Sequence, residues 1–147
     1  MIKTTGVVHF TIPASDLDRT EAFYRDILGL KTVSRAPEPS NLLFMKSGED
    51  YVVFAKSKTP INPNPGDERF VHHAFSVTHE KYEESRAFLE EKGVHIIHEE
   101  ERHDGVFRGK QAHFHTPTAT SSRSSRSTAS ARSTTRVVLS RPAIRKG

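Results

Sequence analysis

Alternation opens the chain. In Val7-Val8-His9-Phe10-Thr11-Ile12, the residues Val8, Phe10 and Ile12 fall on one face of an extended segment, and Val7, His9 and Thr11 fall on the other. That period predicts a strand with one core face and one mixed face. The period then lengthens: Phe23 with Ile27 and Tyr24 with Leu28 recur at helical spacing, Ser15 stands three residues before Asp18 like a capping box, and Gly29 suits the position just past a helix end. A helix is predicted from about Asp16 to Leu28. Three short strands follow, roughly Lys31 to Arg35, Asn41 to Lys46 and Tyr51 to Ala55, separated by the Pro-bearing Ala36 to Ser40 and the Gly-bearing Ser47 to Asp50. The order is β-α-β-β-β.

Between Lys58 and Glu68 stand three prolines, two asparagines and a glycine, a composition that suits a linker and no regular element. The pattern then restarts. Phe70 to Val77 alternates as a strand, His79 to Glu91 is a charged helix carrying Tyr82, Phe88 and Leu89, and Gly93 ends it as Gly29 ends the first. Val94 to His98 and Lys110 to His115 are further strands. A repeat of about 60 residues predicts an α+β fold of two βαβββ modules, residues 1–57 and 70–115 joined by a linker at 58–69, with half-cores packed side by side.

Composition narrows the chemistry. At 147 residues and 34% hydrophobic content the chain has the size of one domain. It shows no run of about 18 apolar residues and no charged-then-apolar leader, so a cytoplasmic protein without a membrane partner is expected. With no cysteine, thiolate metal sites, disulfides and a cysteine nucleophile are excluded, and a metal would have to sit on His, Asp, Glu or water. Nine histidines make such a site worth seeking. The net charge of +4 is unevenly spread: residues 1–115 hold 15 basic against 18 acidic side chains, a balance of −3, and residues 116–147 hold seven basic and none acidic. No phosphate-binding surface is implied for the body, and no nucleic-acid partner is expected for it.

Two histidines occupy matched places. In the second opening strand His72, Ala74 and Ser76 share the less apolar face, as His9 does beside Thr11, while Val71, His73, Phe75 and Val77 share the other. Aligning the two strand-to-helix junctions makes His9 and His72 equivalent, 63 residues apart. Two imidazoles related by internal symmetry suit a divalent metal, yet a strand histidine is more often a hydrogen-bonded core or surface residue, and the repeat alone leaves both readings open. His73 reads as structural, and His79, His95, His98 and His103 as solvated.

The stretches Val8-His9-Phe10-Thr11-Ile12, Ser15-Asp16-Leu17-Asp18-Arg19, Ala22-Phe23-Tyr24-Arg25-Asp26-Ile27-Leu28-Gly29-Leu30 and His72-His73-Ala74-Phe75-Ser76-Val77 resemble the vicinal oxygen chelate superfamily. That group includes glyoxalase I, fosfomycin-resistance enzymes, extradiol dioxygenases and bleomycin-binding proteins without metal. The resemblance spans roughly residues 5 to 115, and the phrase ending Leu28-Gly29-Leu30 is its most specific part. It implies a cupped mixed sheet and a metal, Fe, Mn or Zn, held by a histidine on the first strand of each module, here His9 and His72. It further implies a small-molecule substrate and a homodimer. In glyoxalase I-like members a glutamate on the last strand of the first module is also a ligand; the matching position is Phe54, so the chain is more similar to members with two histidines and one carboxylate.

The tail departs from that pattern. The family's carboxylate follows a turn of the form Asp-Pro-Asp-Gly, whereas Phe114-His115 leads into Thr116-Pro117-Thr118-Ala119-Thr120-Ser121-Ser122-Arg123, which holds no acid. The codons GAC CCC GAC GGC AAC GTC ATC GAG encode Asp-Pro-Asp-Gly-Asn-Val-Ile-Glu. Without their first G they read Thr-Pro-Thr-Ala-Thr-Ser-Ser-Arg, the letters present, and the glutamate falls at Arg123. Residues 116–147 are therefore expected to be a frameshift product, irregular or disordered, with no amphipathic period before Val137 and with the last strand of the second module lost. A basic, phosphorylatable arm that binds nucleic acid is the other reading of this segment. His113 and His115, on one face of the preceding strand, are either substitutes for the missing ligand or polar residues lining the cup.

The expectation is a metal-dependent enzyme acting on a small substrate that chelates through adjacent oxygens, by extradiol ring cleavage or by addition of thiol or water to an epoxide. Its catalytic residues are not legible. A non-catalytic binder of the bleomycin-sequestering type and an inactive, damaged copy are the alternatives.

Overall fold

The computed structural model describes residues 1–59, 71–116 and 136–140. They form two compact units, one built by 1–59 and the other by 71–116 with 136–140. The predicted linker from Pro60 onward, and the segment 117–135 with Arg123, lie outside the described residues.

In the first unit β1 (His9–Ala14) leads to α1 (Leu17–Asp26), then β2 (Lys31–Ala36), β3 (Leu42–Ser47) and β4 (Asp50–Lys56). The sheet order is β1-β4-β3-β2, with β1 parallel to β4 and the other pairs antiparallel. The helix cap is Asp16 rather than Ser15: its backbone is extended and its carboxylate accepts from the amides of Asp18 and Arg19, both at 3.0 Å. At the other end Gly29 takes φ 70°, the left-handed conformation expected of it, and the Leu30 amide donates to the Tyr24 carbonyl at 2.9 Å.

Register decides the core. Ile12, Phe54 and Leu43 lie side by side across β1, β4 and β3, next to Val52 and Met45, and all five are buried. Tyr24 covers them, its ring centroid 4.4 Å from that of Phe54. Each such side chain contributes about 1.5–3 kcal/mol on burial. The expected core face of the first strand is shorter than the alternation suggests, because Val8 and Phe10 are 78% and 58% exposed and burial begins at Ile12, the partner of Phe54.

The second unit repeats this topology. It runs β5 (His72–Ser76), a 3-10 turn (His79–Lys81), α2 (Tyr82–Glu91), β6 (Ile96–Arg102), β7 (Gly109–His115) and β8 (Arg136–Ser140). Its order is β5-β8-β7-β6, with β5 parallel to β8. The last strand, expected to be lost, is present. Val137-Val138-Leu139, the apolar run of the tail, enters the slot between β5 and β7, where β-branched residues fit a pleated surface and the flanking strands need backbone partners. Val138 is 1% exposed, with Ala74 and His113 as its neighbours in register.

Two other boundaries move for local reasons. The Val94 amide donates to the Leu89 carbonyl at 2.9 Å and closes the helix end, with Gly93 at φ 71°. So β6 starts at Ile96 and continues past the expected end at His98 to Arg102. α2 rests on its sheet through buried Tyr82 and Leu89, with the Tyr82 hydroxyl 3.4 Å and Arg86 Nε 2.9 Å from Glu99 Oε1. No helix among the described residues is long and apolar enough to cross a membrane.

Candidate functional site

Residues paired across neighbouring strands point to the same side of a sheet, so the register of the second unit assigns its two faces. His72 lines up through Arg136 with His115, and Ala74 through Val138 with His113. Gln111 faces Glu100 and His113 faces His98 across β7 and β6. His72, His98, Glu100, Gln111, His113 and His115 therefore share the face turned away from α2. His73, Phe75, Ala112 and Phe114 share the helix face, as the structural reading of His73 requires. Burial, with the charge of neighbouring His72 adding to it, pushes the His73 imidazole below its usual range.

His113 is the centre of this face. It is 7% exposed, its ring centroid lies 6.1 Å from that of His72 and 5.3 Å from that of His98, and its Nε2 lies 3.6 Å from Glu100 Oε1. The same carboxylate oxygen accepts from Arg102 Nε at 3.1 Å. Burial pushes the Glu100 carboxyl up, but the hydrogen bond and charge of Arg102, with His113 and His98 adding, bring it net below the usual carboxylate range. The Gln111 amide, 7% exposed, donates from Nε2 to the Phe107 carbonyl at 3.2 Å and ties the β6–β7 connection to this face.

Of the residues singled out in the sequence, His72 and His113 are brought together, and His115 stands exposed at the end of β7 on the same face. His9 belongs to the first unit: it is exposed on β1 opposite Tyr51, on the side turned away from α1. His79, His95 and His103 are exposed as expected, but His98 is half-buried beside His113. His98 and Glu100 were missed because β6 is irregular. Its register shifts between Ile96, opposite Phe114, and His98, opposite His113, which turns His98 away from the helix side. Only an unbroken alternation can be followed by eye, and none exists there.

The match of Phe54 to a ligand position also needs correction. Phe54 is wholly buried under Tyr24 on the helix face, so the β4 positions on the side of His9 are Tyr51, Val53 and Ala55. None of these bears a carboxylate, so β4 supplies no acidic side chain on that side of the sheet. Nor does β8, which reads Arg136-Val137-Val138-Leu139-Ser140. Among the described residues no set of three or more His, Asp or Glu side chains is already arranged to hold a metal. The face of the second sheet turned away from α2 carries the imidazoles of His72, His98, His113 and His115 and the carboxylate of Glu100.

Paired βαβββ units with this strand order, and a histidine at the head of each, lead to comparison with known proteins. Residues 6–118 match the family model of the Glyoxalase/Bleomycin resistance protein/Dioxygenase superfamily. The chain belongs to that superfamily. Its fold recurs in the fosfomycin resistance protein FosX from Listeria monocytogenes, at TM-score 0.70 and 17% identity over 97% of this chain and 94% of that one. A mutant of the Listeria protein in complex with Mn(II) and 1S,2S-dihydroxypropylphosphonic acid gives TM-score 0.70 at 16% identity, covering 97% of this chain and 95% of the other. FosX from Mesorhizobium loti gives 0.67 at 12%, again covering 97% and 95%. At these identities the likeness speaks for the fold of this superfamily member and not for its substrate.

Proposed function

We propose that this glyoxalase-superfamily chain acts on a small molecule that offers two adjacent oxygens to a divalent metal, with His72 and His113 of the second unit among its protein donors. The observation that carries the reading is the buried imidazole of His113, 6.1 Å in centroid distance from His72, on a face where β8 brings no acid. A histidine in place of a carboxylate removes one negative charge from the donor set. That shift favours Zn(II) or Fe(II) over Mn(II). When bound, such a metal supplies Lewis-acid polarisation of the substrate oxygens or a site for dioxygen. The chain's own part is to orient the imidazoles, and Val138 and Gln111, both buried, line the floor of this face.

The FosX likeness makes fosfomycin the first substrate to try, with water or thiol adding to the epoxide, and a catechol the second. Protein purified without chelator is expected to carry about one metal per chain by elemental analysis, lost in His72→Ala and in His113→Ala. Phosphorus NMR of fosfomycin and absorbance of a cleaved catechol then read turnover. Full metal content in His72→Ala would sink the ligand assignment. Members of this superfamily are often dimeric, and sedimentation equilibrium tests the homodimer proposed here.

A second reading is favoured by the absence of any acid at Tyr51, Val53 and Ala55 and along β8: a small-molecule binder that needs no metal. It expects no stoichiometric metal in wild type and ligand binding unchanged by His72→Ala. Calorimetry with the metal-free protein separates the two.

A further inference from the structure

We infer that Phe107, with Val106 beside it, is a specificity-determining residue: the connection from β6 to β7 sets this apolar pair at the rim of the imidazole face, where it packs on the hydrocarbon part of the bound small molecule. The inference deepens the proposed function. It rests on a ligand seated on that face, and on no metal there. The connection, residues 103–108, exposes both side chains, Val106 at 85% and Phe107 at 71%. Apolar residues scattered singly over a surface call for no explanation, but these two adjoin at the head of a turn that is held in shape. Gly105 and Gly109 take φ 77° and 116°, where a side chain would be strained. A Cβ at Gly105 would meet nothing within 4 Å, so that glycine serves the turn and not a close approach. Arg108 Nε closes the turn by donating to the Gly105 carbonyl at 3.2 Å.

Gln111 decides on which side of the sheet the turn lies. Its side chain shares the face turned away from α2, opposite Glu100 and two residues, about 7 Å, from His113 along β7. Its Nε2 donates to the Phe107 carbonyl at 3.2 Å, and it is buried, 7% exposed. The Phe107 backbone is thereby drawn to the imidazole side, while Lys110, the neighbour of Gln111, faces α2 and donates to Glu83. A molecule lying over His98 and His113 with its oxygens toward the imidazoles meets the turn at one end. A ring or a branched alkyl group there loses water against Phe107, and a ring adds the edge or offset contact that aromatic pairs favour. The class of ligand is thus an oxygen-bearing molecule with an aromatic or branched hydrocarbon part. A substituted catechol fits it, and fosfomycin, with a single methyl group, gains little from the turn.

The test is calorimetry on the full chain as purified, with catechol, tert-butylcatechol and fosfomycin as probes. Wild type is expected to prefer tert-butylcatechol to catechol, and Phe107→Ala to lower that preference about 2- to 10-fold. Phe107→Leu, which keeps an apolar side chain, is expected to retain most of it. Catechol is the internal reference: damage to the fold weakens both catechols together and leaves their ratio unchanged. The chain has no tryptophan, so Phe107→Trp supplies a single indole whose emission is expected to move to shorter wavelength with tert-butylcatechol and not with fosfomycin. An unchanged ratio in Phe107→Ala, with both catechols bound, overturns the inference and leaves the proposed function standing. So does a dimer that dissociates on Phe107→Ala in sedimentation equilibrium with the ratio unchanged, which assigns the turn to a second copy of the chain. Binding of fosfomycin alone overturns the inference by itself, and binding of none of the three probes overturns it together with the proposed function.

Discussion

Tyr82 joins α2 to its sheet at one side chain. It is wholly buried, its hydroxyl lies 3.4 Å from Glu99 Oε1, and burial, with the charge and hydrogen bond of Glu99 acting the same way, pushes the phenol up to about 12. The sign follows from linkage: the unfolded chain gives up this proton near the ordinary value of about 10, and the folded chain keeps it. Stability is therefore fully present below about pH 10 and is lost as pH rises toward 12. Ultraviolet titration is expected to show a tyrosine step near 12 that Tyr82→Phe removes together with part of the alkaline loss of stability. At this scale the sequence was informative where alternation is unbroken. Counting in twos placed His72 on the less apolar face of its strand, His73 on the helix side, and His113 with His115 on one face of theirs. His98 and Glu100 were not, because the register shift in β6 breaks the count between Ile96 and His98.

Elements differ in how far local signals determine them. α1 was legible from its spacing and its glycine stop, and its start moved by one residue because Asp16, not Ser15, reaches the amides of Asp18 and Arg19. β8 was not legible. Val137 to Leu139 is too short to declare itself as a strand, and it pairs with β5 and β7, whose residues lie at least 20 positions earlier in the chain. A chain ending at Thr135 would leave both neighbours with unpaired backbone, and such edges associate. It is expected to elute as aggregates in size-exclusion chromatography. The milder change Val138→Ala, which removes buried methyl groups from a side chain 1% exposed, is expected to cost about 2 kcal/mol in urea denaturation. A loss below a few tenths would mean that β8 contributes little to the second unit.

For the whole molecule, the charge is unevenly spread. The basic excess belongs to residues 116–147, and the acidic balance to the superfamily-matched body. We propose that restoring the frame at Thr116, which places Asp-Pro-Asp-Gly at the turn and a glutamate at position 123, returns the family's carboxylate. The restored chain is expected to hold metal more tightly than the present one by at least about 1.4 kcal/mol, a factor of ten, in competition with a chelating dye. Equal affinity would mean that a carboxylate at position 123 adds nothing to the donors already present. Sequence by itself determined the repeat, the superfamily and the equivalence of His9 and His72, because hydrophobic periods and glycine stops are local and survive without a partner strand. Only the tertiary structure decided that the tail supplies a last strand, that Phe54 lies beneath Tyr24, and that His98 and Glu100 flank His113. Each of those depends on register between segments distant in the chain, and register is set by what packs across the sheet, not by the order of residues within one strand.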